Sequence, residues 1–181
     1  PPFHRQRLPD AFSLKEFSVS HKDFPSYRGE MEYVCLGCGA RRPGDTLLYT
    51  CPDCGGVFLL ENTRFDALRS TSGQQWRAIF DERAATRTTA LRGIFRYYEL
   101  LAPLMDEEDI VYLGEGLTPI IEAAPALRDQ VGVPFAYKND GQNPSASFKD
   151  RGMACAFSYL KWLCRRHNWE EVLTVCASTG D

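Results

Sequence analysis

The chain has 181 residues, of which 44% are apolar and 25% are charged, a composition typical of a globular protein with a buried core. Its formal net charge of −3 gives no electrostatic basis for binding nucleic acid or a membrane surface. No apolar run approaches the ~20 residues of a membrane span, and no secretory signal pattern is present. We therefore expect a cytoplasmic protein. The chain begins with Pro1 and not with Met, which leaves open an earlier, removed targeting segment.

The first 60 residues divide into two predicted segments. Residues 1–30 mix charges, aromatic residues and prolines, which is typical of an extended arm, with one short helix near Ala11–Phe17. Residues 31–60 contain two CxxC pairs separated by twelve residues: Cys35, Cys38, Cys51 and Cys54. Neighbouring glycines permit tight turns that place both thiolates of a pair on one side. Two such turns joined by a hairpin predict an all-cysteine zinc ribbon.

Zinc held by four cysteines has no open coordination position, so we expect it to be structural. Redox-active CxxC pairs and metal-free thiols are the alternatives. The chain has seven cysteines, and an odd number in a chain without a secretory signal favours reduced thiols.

Residues 61–103 are predicted to form a helical connector. Apolar residues recur at helical spacing over 76–84 and again over 90–102, which predicts two helices. Pro103 is expected to end the second one.

Residues 104–181 are predicted to begin an open α/β domain. The predicted elements are a glycine- and proline-rich loop (113–119), a short helix (123–131), a strand (133–138), a turn (140–146), a long helix (147–166) and a buried parallel strand (172–177). Ser147 and Asp150 are expected to form the capping box of the long helix, and Asn168 to end it. Strand, helix, strand is the opening of a parallel sheet. Two strands do not complete a sheet, so we expect the chain to be the first part of a larger enzyme.

Lys149 lies in the first turn of the long predicted helix. The partial positive charge of a helix N-terminus disfavours a cation there. The same field favours a neutral amine, which is the nucleophilic form of lysine. An exposed lysine paired with Asp150 is the alternative interpretation when this motif is considered alone.

Four segments of the sequence carry a family resemblance. In chain order they are Phe95–Leu101 (FRYYELL), Gly114–Pro119 (GEGLTP), Tyr137–Met153 (YKNDGQNPSASFKDRGM) and Ala177–Asp181 (ASTGD). Together they resemble threonine synthase, a fold-type II pyridoxal phosphate (PLP) enzyme of the tryptophan-synthase-β-like fold. Many threonine synthases also carry an N-terminal four-cysteine ribbon. The sequence departs from the family pattern at Phe95, where the family has Trp. It also has Asp181 where related sulfur-amino-acid enzymes have Asn.

The resemblance implies roles for individual residues. Lys149 would hold PLP covalently and then shuttle protons on the substrate, while Phe148 and Asp181 would contact the cofactor. The residues implied to bind substrate are Ser178, Thr179 and Gly180. Lys138 and Asn139 are further candidates, because they lie at a predicted strand end that faces the expected site. Glu115 is interpreted as a loop-stabilising residue before an acid–base group, and Arg151 as either an ion-pairing group or a phosphate ligand.

The implied reaction converts O-phospho-L-homoserine and water to L-threonine and phosphate, in an enzyme that is a homodimer when complete. Cysteate synthase, or another PLP enzyme of β-replacement, is the first alternative. A non-catalytic zinc-ribbon interaction protein is the second. Because the family places its phosphate-binding glycine loop later in the chain, we expect these 181 residues alone to bind PLP poorly and to be inactive.

Overall fold

The structure is a computed structural model that describes residues 24–86 and 88–175. It shows a mixed α/β chain whose described strands form two small antiparallel sheets. The short helix expected near Ala11–Phe17 lies outside the described residues. Among the residues that the structure describes, no helix is long and apolar enough to cross a membrane.

The first sheet frames the paired cysteines. Its strands are β1 (Met31–Cys35), β2 (Arg41–Pro43) and β3 (Phe58–Asn62), and β1 lies in the middle. Every second residue of β1 is buried, because successive side chains of a strand point to opposite faces. The loops that connect these strands carry three of the four paired cysteines, and the fourth ends β1.

The first expected helix of the connector is present as α1 (Gly73–Ala85). A capping box begins it, because Ser72 Oγ accepts the Gln75 N–H and the Gln75 side chain accepts the Ser72 N–H. Near its other end, Arg83 forms a bidentate ion pair with Glu99, with N···O distances of 2.6 and 2.7 Å. Both side chains are largely buried, so this pair fixes α1 to the segment that follows.

The second expected helix, over 90–102, is broken. The chain forms short 3-10 turns and one final α-helical turn, α2 (Tyr98–Leu101). The break lies at Gly93, whose φ of −89° and ψ of −141° are not helical. The next N–H, of Ile94, donates to the carboxylate of Glu115 at 2.9 Å. The prediction of one continuous helix was wrong, because a side chain distant in sequence takes an amide that would have continued the helix.

The second sheet has two strands. β4 (Ile120–Glu122) and β5 (Ala136–Lys138) pair antiparallel, and α3 (Pro125–Val131) connects them. Gly132 ends α3 with a φ of 83°, the left-handed conformation common at helix C-termini. The short helix and the strand expected in this part are both present, each shorter than predicted.

The longest described helix is α4 (Lys149–His167), and Asn168 ends it in the left-handed conformation, as expected. Its inner face packs on the broken connector. Large, fully buried side chains of this core are Leu91, Phe95, Tyr98, Met105 and Leu163. Phe157, on the same helix, is 37% exposed.

Two tyrosine hydroxyls join the ribbon to α4. The oxygen atoms of Tyr33, in β1, and Tyr159, in α4, lie 2.6 Å apart. The Tyr159 hydroxyl donates to the carbonyl of Gly44 at 2.7 Å, which leaves Tyr33 as the donor to Tyr159. The ribbon is therefore hydrogen-bonded to the middle of α4.

The strand expected over 172–177 is not formed in its described part. Residues 172–175 have no regular secondary structure, and Leu173 and Val175 are 89% and 88% exposed. A buried parallel strand needs neighbouring strands for its backbone hydrogen bonds, and no described strand pairs with this segment. The prediction was therefore wrong for these four residues.

Candidate functional site

The four paired cysteines converge on one point. Cys35 Sγ lies 3.4 Å from Cys54 Sγ, and Cys38 Sγ lies 3.7 Å from Cys51 Sγ. All four sulfur atoms lie within 4.8 Å of one another. Four tetrahedral Zn–S bonds of ~2.3 Å place sulfur atoms ~3.8 Å apart, so the donor set and its spacing fit zinc. Each close contact joins one cysteine from each CxxC pair, so the thiols form a single cluster and not two separate dithiols.

The two CxxC turns share one backbone construction. Gly39 N–H donates to the Cys35 carbonyl at 2.9 Å, and Gly55 N–H donates to the Cys51 carbonyl at 2.8 Å. Both glycines have a φ of 74°, a left-handed conformation that favours glycine. The turns are therefore closed by backbone contacts, which leaves the cysteine side chains to face each other.

Hydrogen bonds to sulfur shift the pKa values of Cys35 and Cys54 in opposite directions. The backbone N–H of Cys38 lowers the pKa of Cys35 to about 6, although burial raises it. The pKa of Cys54 is raised to about 12. A backbone hydrogen bond from Gly56 lowers this pKa, but hydrogen bonds with the side chains of Cys35 and Cys38 together outweigh that effect. Thiolates are the metal-binding form, so a divalent cation that binds all four sulfur atoms displaces protons from the cluster.

Lys149 is the first residue of α4, and its side chain is exposed to solvent. Phe148, directly before it, is 64% exposed. The backbone N–H of Lys149 donates to Ser147 Oγ at 3.2 Å. The lysine and its aromatic neighbour are thus both accessible at the N-terminal end of a 19-residue helix.

The capping box expected at this helix was wrong. No side-chain hydrogen bond caps α4 at Phe148. Asp150 instead accepts the backbone N–H and the hydroxyl of Ser145, at 2.8 and 2.5 Å, and these hydrogen bonds lower the pKa of Asp150. The carboxylate therefore closes the turn that leads into Lys149.

Asp140 connects three segments near the start of α4. Its carboxylate accepts two hydrogen bonds from Arg151, at 2.8 and 2.9 Å, and one from the Thr118 hydroxyl at 2.8 Å. Hydrogen bonding by the Arg151 guanidinium lowers the pKa of Asp140 to about 2. Of the two interpretations of Arg151, the structure thus shows ion pairing. Asp140 and Thr118 were not among the residues predicted for the site. The position of Asp140 between Lys138 and Arg151 in the sequence could have indicated that its carboxylate pairs with a cation.

Lys138 and Asn139 lie at the end of β5, beside this network. Lys138 Nζ donates to the Thr118 carbonyl at 2.6 Å, and Asn139 N–H donates to the Pro119 carbonyl at 2.9 Å. Both residues therefore hold the loop 113–119 against the end of β5.

Glu115 is 1% exposed and accepts two backbone N–H groups, from Ile94 and from Leu113, at 2.9 Å each. A Cβ atom at Gly93 would lie 1.9 Å from Glu115 Oε1, so the carboxylate occupies space that only glycine leaves. These contacts support the interpretation of Glu115 as a loop-stabilising residue.

The remaining predicted site residues, Ser178, Thr179, Gly180 and Asp181, lie outside the described part of the chain. The described structure brings together the loop 113–119, the end of β5 and the start of α4, which are three of the segments that the family resemblance singled out.

Comparisons with known proteins identify the family. No family model matches the chain. A threonine synthase from Methanocaldococcus jannaschii is 32% identical over 148 residues, which cover 81% of this chain and 32% of that protein. A threonine synthase from Methanosarcina acetivorans is 30% identical over 148 residues, covering 81% and 31%. A third, from Synechocystis sp., is 40% identical over 92 residues, covering 50% and 22%.

The chain belongs to the threonine synthase family. It spans about a third or less of the length of these curated relatives. Threonine synthase membership implies PLP, and the residues at the start of α4 fit that cofactor. An exposed lysine can supply an amine, an exposed Phe148 can pack on a ring, and a helix N-terminus favours a nearby anion.

Proposed function

We propose that the chain is the part of a PLP-dependent threonine synthase that carries the cofactor lysine. The complete enzyme would convert O-phospho-L-homoserine and water to L-threonine and phosphate. The observation that carries this proposal is the similarity to threonine synthases over 148 residues, within a chain whose Lys149 begins α4 and is exposed. The relatives reported above are threonine synthases, which favours this reaction over the cysteate-synthase and non-catalytic alternatives.

Individual residues of the chain would have separate roles in the reaction. Bound PLP supplies an electron sink for the substrate's carbon atoms. Lys149 Nζ would attach the cofactor and, once the substrate has displaced it, move protons at the substrate's α and β carbons. Phe148 and Asp181 would contact the cofactor.

Two groups of residues would bind the substrate. Ser178, Thr179 and Gly180 would bind its carboxylate through hydroxyl and backbone N–H donors. Lys138 and Asn139 would face it from the end of β5.

The chain would divide into four parts. Residues 1–30 would form an arm, 31–60 a zinc ribbon, 61–103 a connector and 104–181 the beginning of a fold-type II PLP domain. Zinc at the four cysteines would be structural, and the complete enzyme would be a cytoplasmic homodimer.

Two lysines of α4 make a matched test of the cofactor assignment. The complete protein, its Lys149→Ala variant and its Lys161→Ala variant are incubated with PLP and reduced with borohydride, and the modified peptide is located by mass spectrometry. We expect modification at Lys149 in the parent protein and in Lys161→Ala, together with phosphate release from O-phospho-L-homoserine. Lys149→Ala is expected to lose both. Modification at another lysine, or phosphate release that survives Lys149→Ala, would show that the assignment is wrong.

A further inference from the structure

Three consecutive residues at the start of α4 point in three different directions. Successive residues of an α-helix are rotated by about 100° around its axis, so Lys149, Asp150 and Arg151 face separate surroundings. Arg151 pairs with Asp140, which follows β5. Asp150 is only 9% exposed and accepts the N–H and the hydroxyl of Ser145. The first turn of α4 is therefore fixed on two sides, and Lys149 lies on the third, exposed side.

The contact between Asp150 and Ser145 closes a turn whose backbone is strained. Ala146, the next residue of the turn, has a φ of 58°, a left-handed conformation that residues other than glycine rarely adopt. Its N–H donates to the Asn143 carbonyl at 2.8 Å. A strained residue persists only where surrounding contacts hold it, and such residues cluster at functional sites. The hydrogen bonds of Ser145 and Ala146 together maintain the turn that leads into Lys149.

The first residue of this turn is anchored to the loop 113–119. Asn143 is 4% exposed, and its Oδ1 accepts the Gly116 N–H at 3.1 Å. Its Nδ2 donates to the Asp140 carbonyl at 2.8 Å. The turn is thus held at one end by a neighbouring loop and at the other end by Asp150, which belongs to α4 itself.

The carboxylate of Asp150 is buried among neutral donors. Burial of a carboxylate is costly unless hydrogen bonds or a cation compensate for the lost hydration. The two donors that the structure shows for Asp150 both belong to Ser145, whereas the adjacent cation Arg151 pairs with Asp140. A buried anion directly after the proposed cofactor lysine is a local cost of the kind that function explains.

We propose that Asp150 is a positioning residue for Lys149. Through Ser145, its carboxylate holds the turn before α4 in one conformation, and the fixed helix start directs the Lys149 amine towards the aldehyde carbon of PLP. Asp150 acts through the backbone and not by proton transfer. Reacting groups need a near-attack geometry, and a displacement of ~1 Å can slow a reaction about a hundredfold. This role depends on the proposed function, because it requires that Lys149 holds PLP.

The rate of PLP attachment measures this role directly. The complete protein and its variants are mixed with PLP, reduced with borohydride after increasing times, and analysed by mass spectrometry for modification of Lys149. We expect Asp150→Ala to slow the modification of Lys149 at least about tenfold. Asp150→Asn keeps one acceptor oxygen, so its rate should lie between those of Asp150→Ala and the parent protein.

Ser72→Ala provides the control for a general loss of stability. Ser72 caps α1, and removal of this cap lowers stability without changing a contact at the start of α4. Ser72→Ala is expected to attach PLP at the parent rate. Amide hydrogen exchange in the zinc-loaded chain measures the contact itself. The Ser145 amide loses its acceptor in Asp150→Ala and should exchange at least about tenfold faster, whereas in Ser72→Ala it should exchange as in the parent chain.

Ser145→Ala keeps the proposal testable if Asp150→Ala does not fold. It removes the hydroxyl donor and keeps the backbone N–H, so modification of Lys149 should slow by a smaller factor in the same direction. A parent-like rate in folded Asp150→Ala or, where that variant does not fold, in Ser145→Ala overturns the positioning role. An unchanged Ser145 amide in Asp150→Ala, or an equal slowing in Ser72→Ala, overturns it as well. Absence of modification at Lys149 in the parent protein overturns the proposed function and the positioning role together.

Discussion

The buried carboxylate of Glu115 gives the most direct test of how the family loop is built. Glu115→Ala leaves two N–H groups, of Ile94 and Leu113, without their 2.9 Å acceptor. A hydrogen bond to a charged group contributes about 1.5–3 kcal/mol. Two such bonds that share one carboxylate are not fully additive, so we expect the free energy of unfolding to fall by about 3–5 kcal/mol. Because domains are stable by only about 5–15 kcal/mol, this is a large fraction of the total.

Two further variants sharpen this prediction. Glu115→Gln keeps one carbonyl oxygen, which can accept one of the two N–H groups, so the expected loss is about half as large. Glu122→Ala removes an exposed carboxylate on β4 and is expected to change stability by less than about 0.5 kcal/mol. Urea unfolding of the zinc-loaded chains, followed by far-ultraviolet circular dichroism, measures all three. A Glu115→Ala chain as stable as Glu122→Ala would refute the assignment of Glu115 as the residue that holds the loop.

Three other predictions concern the ribbon and two ion pairs, Arg83–Glu99 and Arg151–Asp140. The purified chain is expected to contain about one equivalent of zinc, which Cys38→Ser loses and Cys164→Ser retains when metal content is measured by mass spectrometry. Equal zinc in both variants would contradict a four-thiolate centre. Arg83→Met leaves the buried carboxylate of Glu99 without its ion-pair partner, and should lower the free energy of unfolding, measured in urea, by about 3–5 kcal/mol. A loss below about 1 kcal/mol would contradict this prediction. The pKa of Asp140, lowered to about 2, should rise towards ~4 in Arg151→Gln when its carboxyl carbon is titrated by NMR. Because the folded pKa lies below the unfolded one, the stabilisation by this pair is present above about pH 4 and is lost as the pH falls towards 2.

Local signals in the sequence predicted those parts of the structure that depend on neighbouring residues. The spacing of the cysteines predicted their convergence, because each CxxC turn is closed by its own backbone. The periodicity of α4 and the left-handed Asn168 at its end are likewise properties of one segment. The same helical pattern placed Lys149 in the first turn of α4, whereas its cofactor role, which the family resemblance implies, stays a prediction.

Two of the errors lie where a carboxylate binds a partner that the local pattern did not indicate. The helix expected over 90–102 breaks because Glu115 takes the N–H of Ile94. The expected capping box is absent because Asp150 binds Ser145 and not the helix start. In each case the three-dimensional arrangement, and not the local pattern, determines which groups the carboxylate binds.

The hydrogen bond between Tyr33 and Tyr159 links the metal centre to the proposed cofactor site. Tyr159 lies ten residues from Lys149 on one helix, which is about 15 Å along its axis. If zinc orders the ribbon and the ribbon orders α4, the affinities for zinc and for PLP are coupled, and each ligand raises the affinity for the other by the same factor. The cysteine cluster would then contribute to cofactor retention without touching the cofactor, and chelation of the metal would appear as weaker PLP binding.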